Sequence, residues 1–125
     1  MSKDKLEEMF SLRESFMKKI RAKDPEISPV WPVNLSDKNS QQHIRDMALR
    51  GVEEMFEALQ HLKNWKPHRS TQVTEFDREE FLEEIVDAFN YFFSVLILVG
   101  VSEDDLFQAY KKKDKIIRER VESGY

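Results

Sequence analysis

The stretch DREEFLEEIVDAFNYFFSVLILVG, residues 77–100, decides the fold. It opens on Asp77 with Glu80 three residues on, the spacing of a helix start, and closes on Gly100, a glycine at the usual place for a helix stop. The second half is apolar on all sides, and a helix of that kind has to be enclosed. The apolar run from Ala88 to Val101 is interrupted by Asn90, Ser94 and Gly100. It falls short of the roughly 20 residues that cross a bilayer, so a buried helix is expected and not a membrane span. Three further helices of similar length cover such an element only in part, which predicts a subunit interface and a homodimer or homotetramer.

The neighbouring segments supply those helices. Upstream, Ser36 or Asp37 caps a second helix running to about Leu62, with Ile44, Met47, Ala48, Val52, Met55, Phe56, Leu59 and Leu62 on its apolar stripe. Between the two lies NWKPHRSTQVTE, residues 64–75, a loop by its Pro and small polar residues, with a charge pattern that suits a phosphate. Downstream, Ser102 with Asp105 starts a fourth helix that carries Leu106, Phe107, Tyr110, Ile116 and Ile117 and ends at Ser123-Gly124. At the other end, Leu6, Met9, Phe10, Leu12, Phe16, Met17 and Ile20 recur at helical intervals from Lys5 to Ile20. Asp24-Pro25 stops that first helix, and Pro25, Pro29 and Pro32 hold the following segment, with Trp31, as an ordered loop. The expected fold is all-α, an antiparallel bundle of four main helices in one domain over 1–125, oligomerising through the apolar third helix.

Composition agrees with helices: 125 residues are 40% hydrophobic and 35% charged, with three Gly and four Pro. A net charge of -4 leaves no electrostatic footprint for a nucleic-acid polymer. With no Cys, neither a disulfide framework nor a thiolate metal site is available. The opening MSKDKLEEMF mixes both charge signs and lacks the apolar stretch of a signal peptide. The expected setting is therefore a reducing cytoplasm, away from membranes.

Chemistry is concentrated in two pairs of acids. GVEEMFEAL places Glu54 and Glu57 three residues apart on the second helix, and FLEEIVDAF repeats the arrangement with Glu84 and Asp87 on the third. Residues at that spacing project from one face, and each pair adjoins apolar positions that face the core. Carboxylates meeting there would repel one another unless a cation neutralised them. Mg²⁺ suits them, because it takes hard oxygen ligands and completes its octahedron with phosphate oxygens. Spacing alone leaves a second reading open, since acids three residues apart are common on solvated helix faces.

The remaining polar features also have two readings. Lys111, Lys113, Arg118 and Arg120 in AYKKKDKIIRERVESGY are a cationic surface for an anion or a solvated complement to the helix dipole. Trp65, between Lys63 and Lys66, either stacks a base or packs as a helix-end anchor. His43, His61 and His68 have no zinc-like pairing and are read as surface or substrate-proximal residues.

With E-x-x-E on one helix, E-x-x-D on the next and a basic tail ending in Gly-Tyr, the chain resembles the all-α nucleoside triphosphate pyrophosphohydrolases (MazG-like). Within them it is most similar to the dimeric dUTPases and the phage dCTPase/dUTPase branch, through LKNWKPHR, EEIVDAFNYFFSVLILVGVSEDDLFQAYKKK and RERVESGY. The resemblance implies Mg²⁺, with Mn²⁺ as a substitute, on Glu54, Glu57, Glu84 and Asp87. It implies cleavage of a deoxynucleoside triphosphate between the α and β phosphates, giving a monophosphate and pyrophosphate in the cytoplasm, the host's if the chain is phage-encoded. Lys113 and Arg120 are the implied phosphate ligands, Tyr125 closes the terminal Gly-Tyr, and Trp65 with Lys66 lies near the nucleotide. Glu53 and Glu83 are expected outside the ligand set, and Glu54 is the expected base.

Three residues depart from the family pattern. Asp114 follows Lys113 where Lys-Asn is common, Asn90 stands where a histidine often follows the acid pair, and Arg13 stands where dUTPases tend to carry a base-reading glutamine. An arginine only donates where an amide both donates and accepts, so the pyrimidines dUTP and dCTP are expected from branch similarity and not from base contacts. A purine or broad triphosphate substrate, a noncatalytic helical oligomerisation module, and a regulator whose basic tail binds an acidic partner remain as alternatives.

Overall fold

A computed structural model describes residues 4–70 and 72–124. It contains four helices, α1 Lys5–Lys23, α2 Lys38–Leu59, α3 Arg78–Leu98 and α4 Glu103–Glu122, and no strand among the described residues. The chain is therefore all-α. Its contacts group it into two compact units, one made of the chain up to Val33 and from Leu96 onward, the other of Asn34–Val95.

In the first unit α1 packs on α4. The Asp4 side chain accepts a hydrogen bond from Leu6 N at 3.2 Å, and the helix continues past the expected Ile20 until Asp24, whose N–H bonds back to Ile20 O at 2.9 Å. Pro25 is the physical stop, because its ring bars helical geometry in the residue before it, and Asp24 sits at φ -144°. In the loop, Trp31 Nε1 donates to Glu14 Oε2 at 2.8 Å, and Trp31-Pro32 is a cis peptide. Phe10 is buried beneath α1.

The last three carbonyls of α3 are used. Val101 N bonds to Leu96 O and Gly100 N to Ile97 O, the paired bonds of a Schellman stop, and Val33 N reaches Leu98 O at 2.8 Å. Gly100 takes φ +82°, as such a stop requires, and any Cβ there would lie 3.2 Å from Pro32 Cβ. Two residues later Ser102 Oγ accepts from Asp105 N while Asp105 Oδ2 accepts from Ser102 N, the reciprocal cap anticipated from the sequence.

In the second unit α2 and α3 lie side by side and run in opposite directions. Gly51 of α2 faces the Phe92 ring, and ten residues on His61 meets Glu84 and Phe81. Small residues make this approach possible: Gly51, Ala58, Ala88 and Ser94 are all buried. A Cβ built on Gly51 would sit 2.8 Å from Phe92 Cε1, so the ring occupies the place of a side chain. α2 ends at Leu59, short of the expected Leu62, because Gln60, His61 and Leu62 bond three residues back in a tightened turn that uses up the last carbonyls.

The outward stripes of this unit stay apolar. Leu49, Val52, Phe56 and Leu59 on α2 and Leu82, Val86 and Phe89 on α3 are exposed to about half their surface within one chain. Enclosure of α3 on every face is thus not reached within this unit.

Candidate functional site

The loop from Gln60 to Asp77 and the facing sides of α2 and α3 bring the predicted acids together. Glu54 lies between Gly51 and Ala58 on the buried face of α2, and Glu84 lies one turn before Ala88 on α3. Both are half-buried, while Glu57 and Asp87 are exposed at the rim. The carboxyl of Glu54 is held above the usual carboxylate range, first by partial burial, then by the charges of Glu57 and Asp87, a hydrogen bond with Glu57, and the charge of Glu84. Glu57, Glu84 and Asp87 therefore all act on Glu54, two of them from across the helix pair.

Glu84 carries the most informative atom. Its Oε2 lies 3.0 Å from His61 Nε2 but without hydrogen-bond alignment, and this buried oxygen has no hydrogen-bond partner among the described residues. A buried carboxylate oxygen without a donor is costly, and a cation is the natural complement. The donor set, four carboxylates and no sulfur, fits a hard divalent ion such as Mg²⁺. Among the described residues no three of these side chains already stand at ligating distances, so the acids converge without being locked around a point.

His61 was not singled out by the sequence as a member of this cluster. The signal was present: Glu54, Glu57 and His61 follow at i, i+3 and i+7, one face of a helix and the turn that continues it. The ring also stands edge-on to Phe81, 6.4 Å between centroids, and Phe81 packs on Phe76 at 5.4 Å. These aromatics fix the imidazole beside the acids.

His61 also lines a cavity of about 270 Å³ with Asn64, Trp65, Val73 and Phe76. Asn64 holds this loop shut: its Nδ2 donates to Val73 O at 2.7 Å and its Oδ1 accepts from Val73 N at 2.9 Å. That two-way bond reproduces one rung of a β-ladder with a side chain. Trp65 is 69% exposed, so it is not the packed helix-end anchor that was one of its two readings, and Lys66 Nζ lies 5.5 Å from its ring centroid. Asn90 is half-buried on α3, three residues beyond Asp87.

Arg13, Lys113, Asp114 and Arg120 belong to the first unit. The Arg13 guanidinium rests over Phe16 at 4.8 Å. Lys113 and Arg120 are exposed on α4, and Asp114 accepts from Arg118 Nε at 2.7 Å, an i,i+4 pair that raises the Arg118 pKa through the hydrogen bond first and the charge second. Asp114 thus has a cation of its own on the same helix. Glu53 and Glu83 are both exposed beside the acid pairs. Tyr125 lies outside the described residues.

No family model, no curated protein and no solved structure matches this chain. The site is read from its own chemistry.

Proposed function

We propose that the chain hydrolyses a deoxynucleoside triphosphate, with the pyrimidines dUTP and dCTP foremost, to the monophosphate and pyrophosphate. The observation that carries this reading is the convergence of Glu54, Glu57, Glu84 and Asp87 from two helices, with a buried Glu84 oxygen that has His61 3.0 Å away but no aligned hydrogen bond among the described residues. Mg²⁺, or Mn²⁺ in its place, would be held by these carboxylates and would neutralise the triphosphate and polarise the bond to be broken. Glu54, half-buried among these acids, is the candidate to take a proton from the attacking water. Glu57 shares a hydrogen bond with Glu54 and keeps its carboxyl oriented.

Trp65, exposed and beside the cavity, offers a stacking surface for a base, and Lys66 a charge near it. Asn90 contributes an amide for sugar or base, and Lys113 and Arg120 offset charge on the departing pyrophosphate. Arg13, an all-donor group, favours a carbonyl on the base. The same reading takes the four helices as one antiparallel bundle, oligomerising through α3 into a homodimer or homotetramer in the cytoplasm.

The test is direct. With Mg²⁺ and each of dUTP, dCTP, dTTP, dATP and dGTP, pyrophosphate should be released from the pyrimidines, and Glu57→Ala, Glu84→Ala and Asp87→Ala should abolish it. Near-normal rates in all three variants would end the hydrolase reading. A second reading, a noncatalytic oligomerisation module, is favoured by the half-exposed apolar stripes on α2 and α3. It predicts no Mg²⁺-dependent rise in melting temperature.

A further inference from the structure

The cavity beside the acid cluster has a chemistry of its own, and it lies wholly within the Asn34–Val95 unit. Its apolar walls are Leu62, Trp65, Val73 and Phe76, all of them exposed large side chains gathered around about 270 Å³. That volume is small beside the usual range of ligand clefts and sufficient for one planar ring. Walls of this kind offer stacking, but they do not read the edge of a ring. The edge has to be read by the polar groups of the lining, and two of the four are already engaged. The carbonyl and amide of Asn64 are spent on Val73, and His61 stands against Glu84. Lys63 and Glu75 remain, and their side chains make no ion pair or hydrogen bond among the described residues. The clasp explains why they meet here. It ties Asn64 to Val73, so Trp65, next to one end of the loop, and Glu75, two residues beyond the other, are brought to the same cavity.

We infer that Glu75 is the specificity-determining residue of this cavity and selects a base with an exocyclic amino group, which among the pyrimidines is cytosine, over uracil or thymine. The inference rests on the proposed function for its ligand class, a pyrimidine nucleotide. A carboxylate only accepts hydrogen bonds and an ammonium only donates them. Cytosine presents its N4 amino group as a donor, with N3 and O2 beyond it as acceptors, so Glu75 meets the amino group while Lys63 meets an acceptor. In uracil the same corner is O4, an acceptor, and a carboxylate there faces a lone pair. The N3–H of uracil offers no substitute, because it lies between two carbonyl oxygens and a carboxylate that reached it would meet both. The wrong base therefore leaves the carboxylate desolvated without a donor, and an unpaired polar group discriminates more strongly than a missing apolar contact does.

The experiment measures binding of the product to the whole chain by calorimetry, without metal, so that no turnover is involved. dCMP, dUMP and dAMP are titrated into the natural chain, Glu75→Gln and Trp65→Ala. The natural chain should bind dCMP about tenfold more tightly than dUMP, or better. Glu75→Gln, whose amide donates as well as accepts, should bring that ratio close to one, while Trp65→Ala should weaken both pyrimidines alike and keep the ratio. A purely structural role for Glu75 would weaken both ligands and leave the ratio where it was. Equal binding of dCMP and dUMP to the natural chain, a ratio unmoved by Glu75→Gln, tighter binding of dAMP than of dCMP, or no binding of either pyrimidine at millimolar concentration would overturn the assignment. Pyrophosphate release with no base preference in binding would leave the hydrolase reading intact and remove this one, and selective dCMP binding without any turnover would do the reverse.

Discussion

The α2–α3 hairpin and the α1–α4 unit carry charge in opposite ways. On the hairpin, acids from two helices converge on Glu54 and raise its pKa, and a buried Glu84 oxygen has no aligned hydrogen bond among the described residues. On α4, cations are spread along an exposed surface, and the ion pair of Arg118 with Asp114 is made within a single helix. Convergence costs free energy and needs a ligand to relieve it, while dispersal in water costs little and contributes little to stability. The contrast therefore separates a place where chemistry is expected from a surface where contact is expected.

The largest effect should come from the acids. Glu84→Ala or Asp87→Ala should lower pyrophosphate release by at least about a hundredfold and remove the Mg²⁺-dependent rise in melting temperature, whereas Lys113→Ala should raise KM and keep that rise. Equal loss of the metal-dependent shift in Lys113→Ala would erase the distinction between the two regions. Next comes the helix contact beneath the acids. Gly51→Val puts branched bulk where the Phe92 ring lies and should destabilise the chain by about 1–3 kcal/mol in denaturant titration.

A smaller effect is expected on the other side of the comparison. Ser102→Ala removes the α4 cap and should cost about 1 kcal/mol while leaving the metal-dependent shift unchanged. The smallest sharpens the electrostatic argument itself. Glu54 holds its proton more tightly folded than unfolded, so its contribution to stability is complete below its unfolded pKa and is lost as pH rises through the raised folded value. Glu54→Gln should therefore melt higher than the natural chain at pH 7, and the difference should close as pH falls towards the ordinary glutamate range, about 4.3. A lower melting temperature at pH 7 would show that the cluster is not under like-charge repulsion.

The helices were legible where their ends are made by local chemistry. Asp77, Gly100 and the Ser102–Asp105 box mark α3 and α4 within a residue or two because each acts on backbone groups three or four positions away. The end of α2 was less legible, since the tightened turn from Gln60 to Leu62 keeps helical periodicity after the α-helical bonds have ceased. Glu54, Glu57, Glu84 and Asp87 could be chosen from spacing and resemblance, and in the structure the other three act on the carboxyl of Glu54. Neither the approach of His61 to Glu84 nor the clasp of Asn64 on Val73 could be read the same way. The first depends on how two helices are registered, and the second joins a side chain to backbone nine residues away, a distance at which sequence carries no period. The exposure of Trp65 likewise follows from the loop's path and not from its neighbours in sequence.

The hydrogen bond from Val33 to Leu98 joins segments that leave the ribosome far apart in time. The acid-bearing unit is one continuous stretch, Asn34–Val95, and all of its parts are present once that stretch has emerged. The unit containing α1 and α4 is split, and its first piece waits for everything between before it meets its second. The acid-bearing unit can therefore close on itself as it emerges, whereas the split unit cannot close until its second piece has followed.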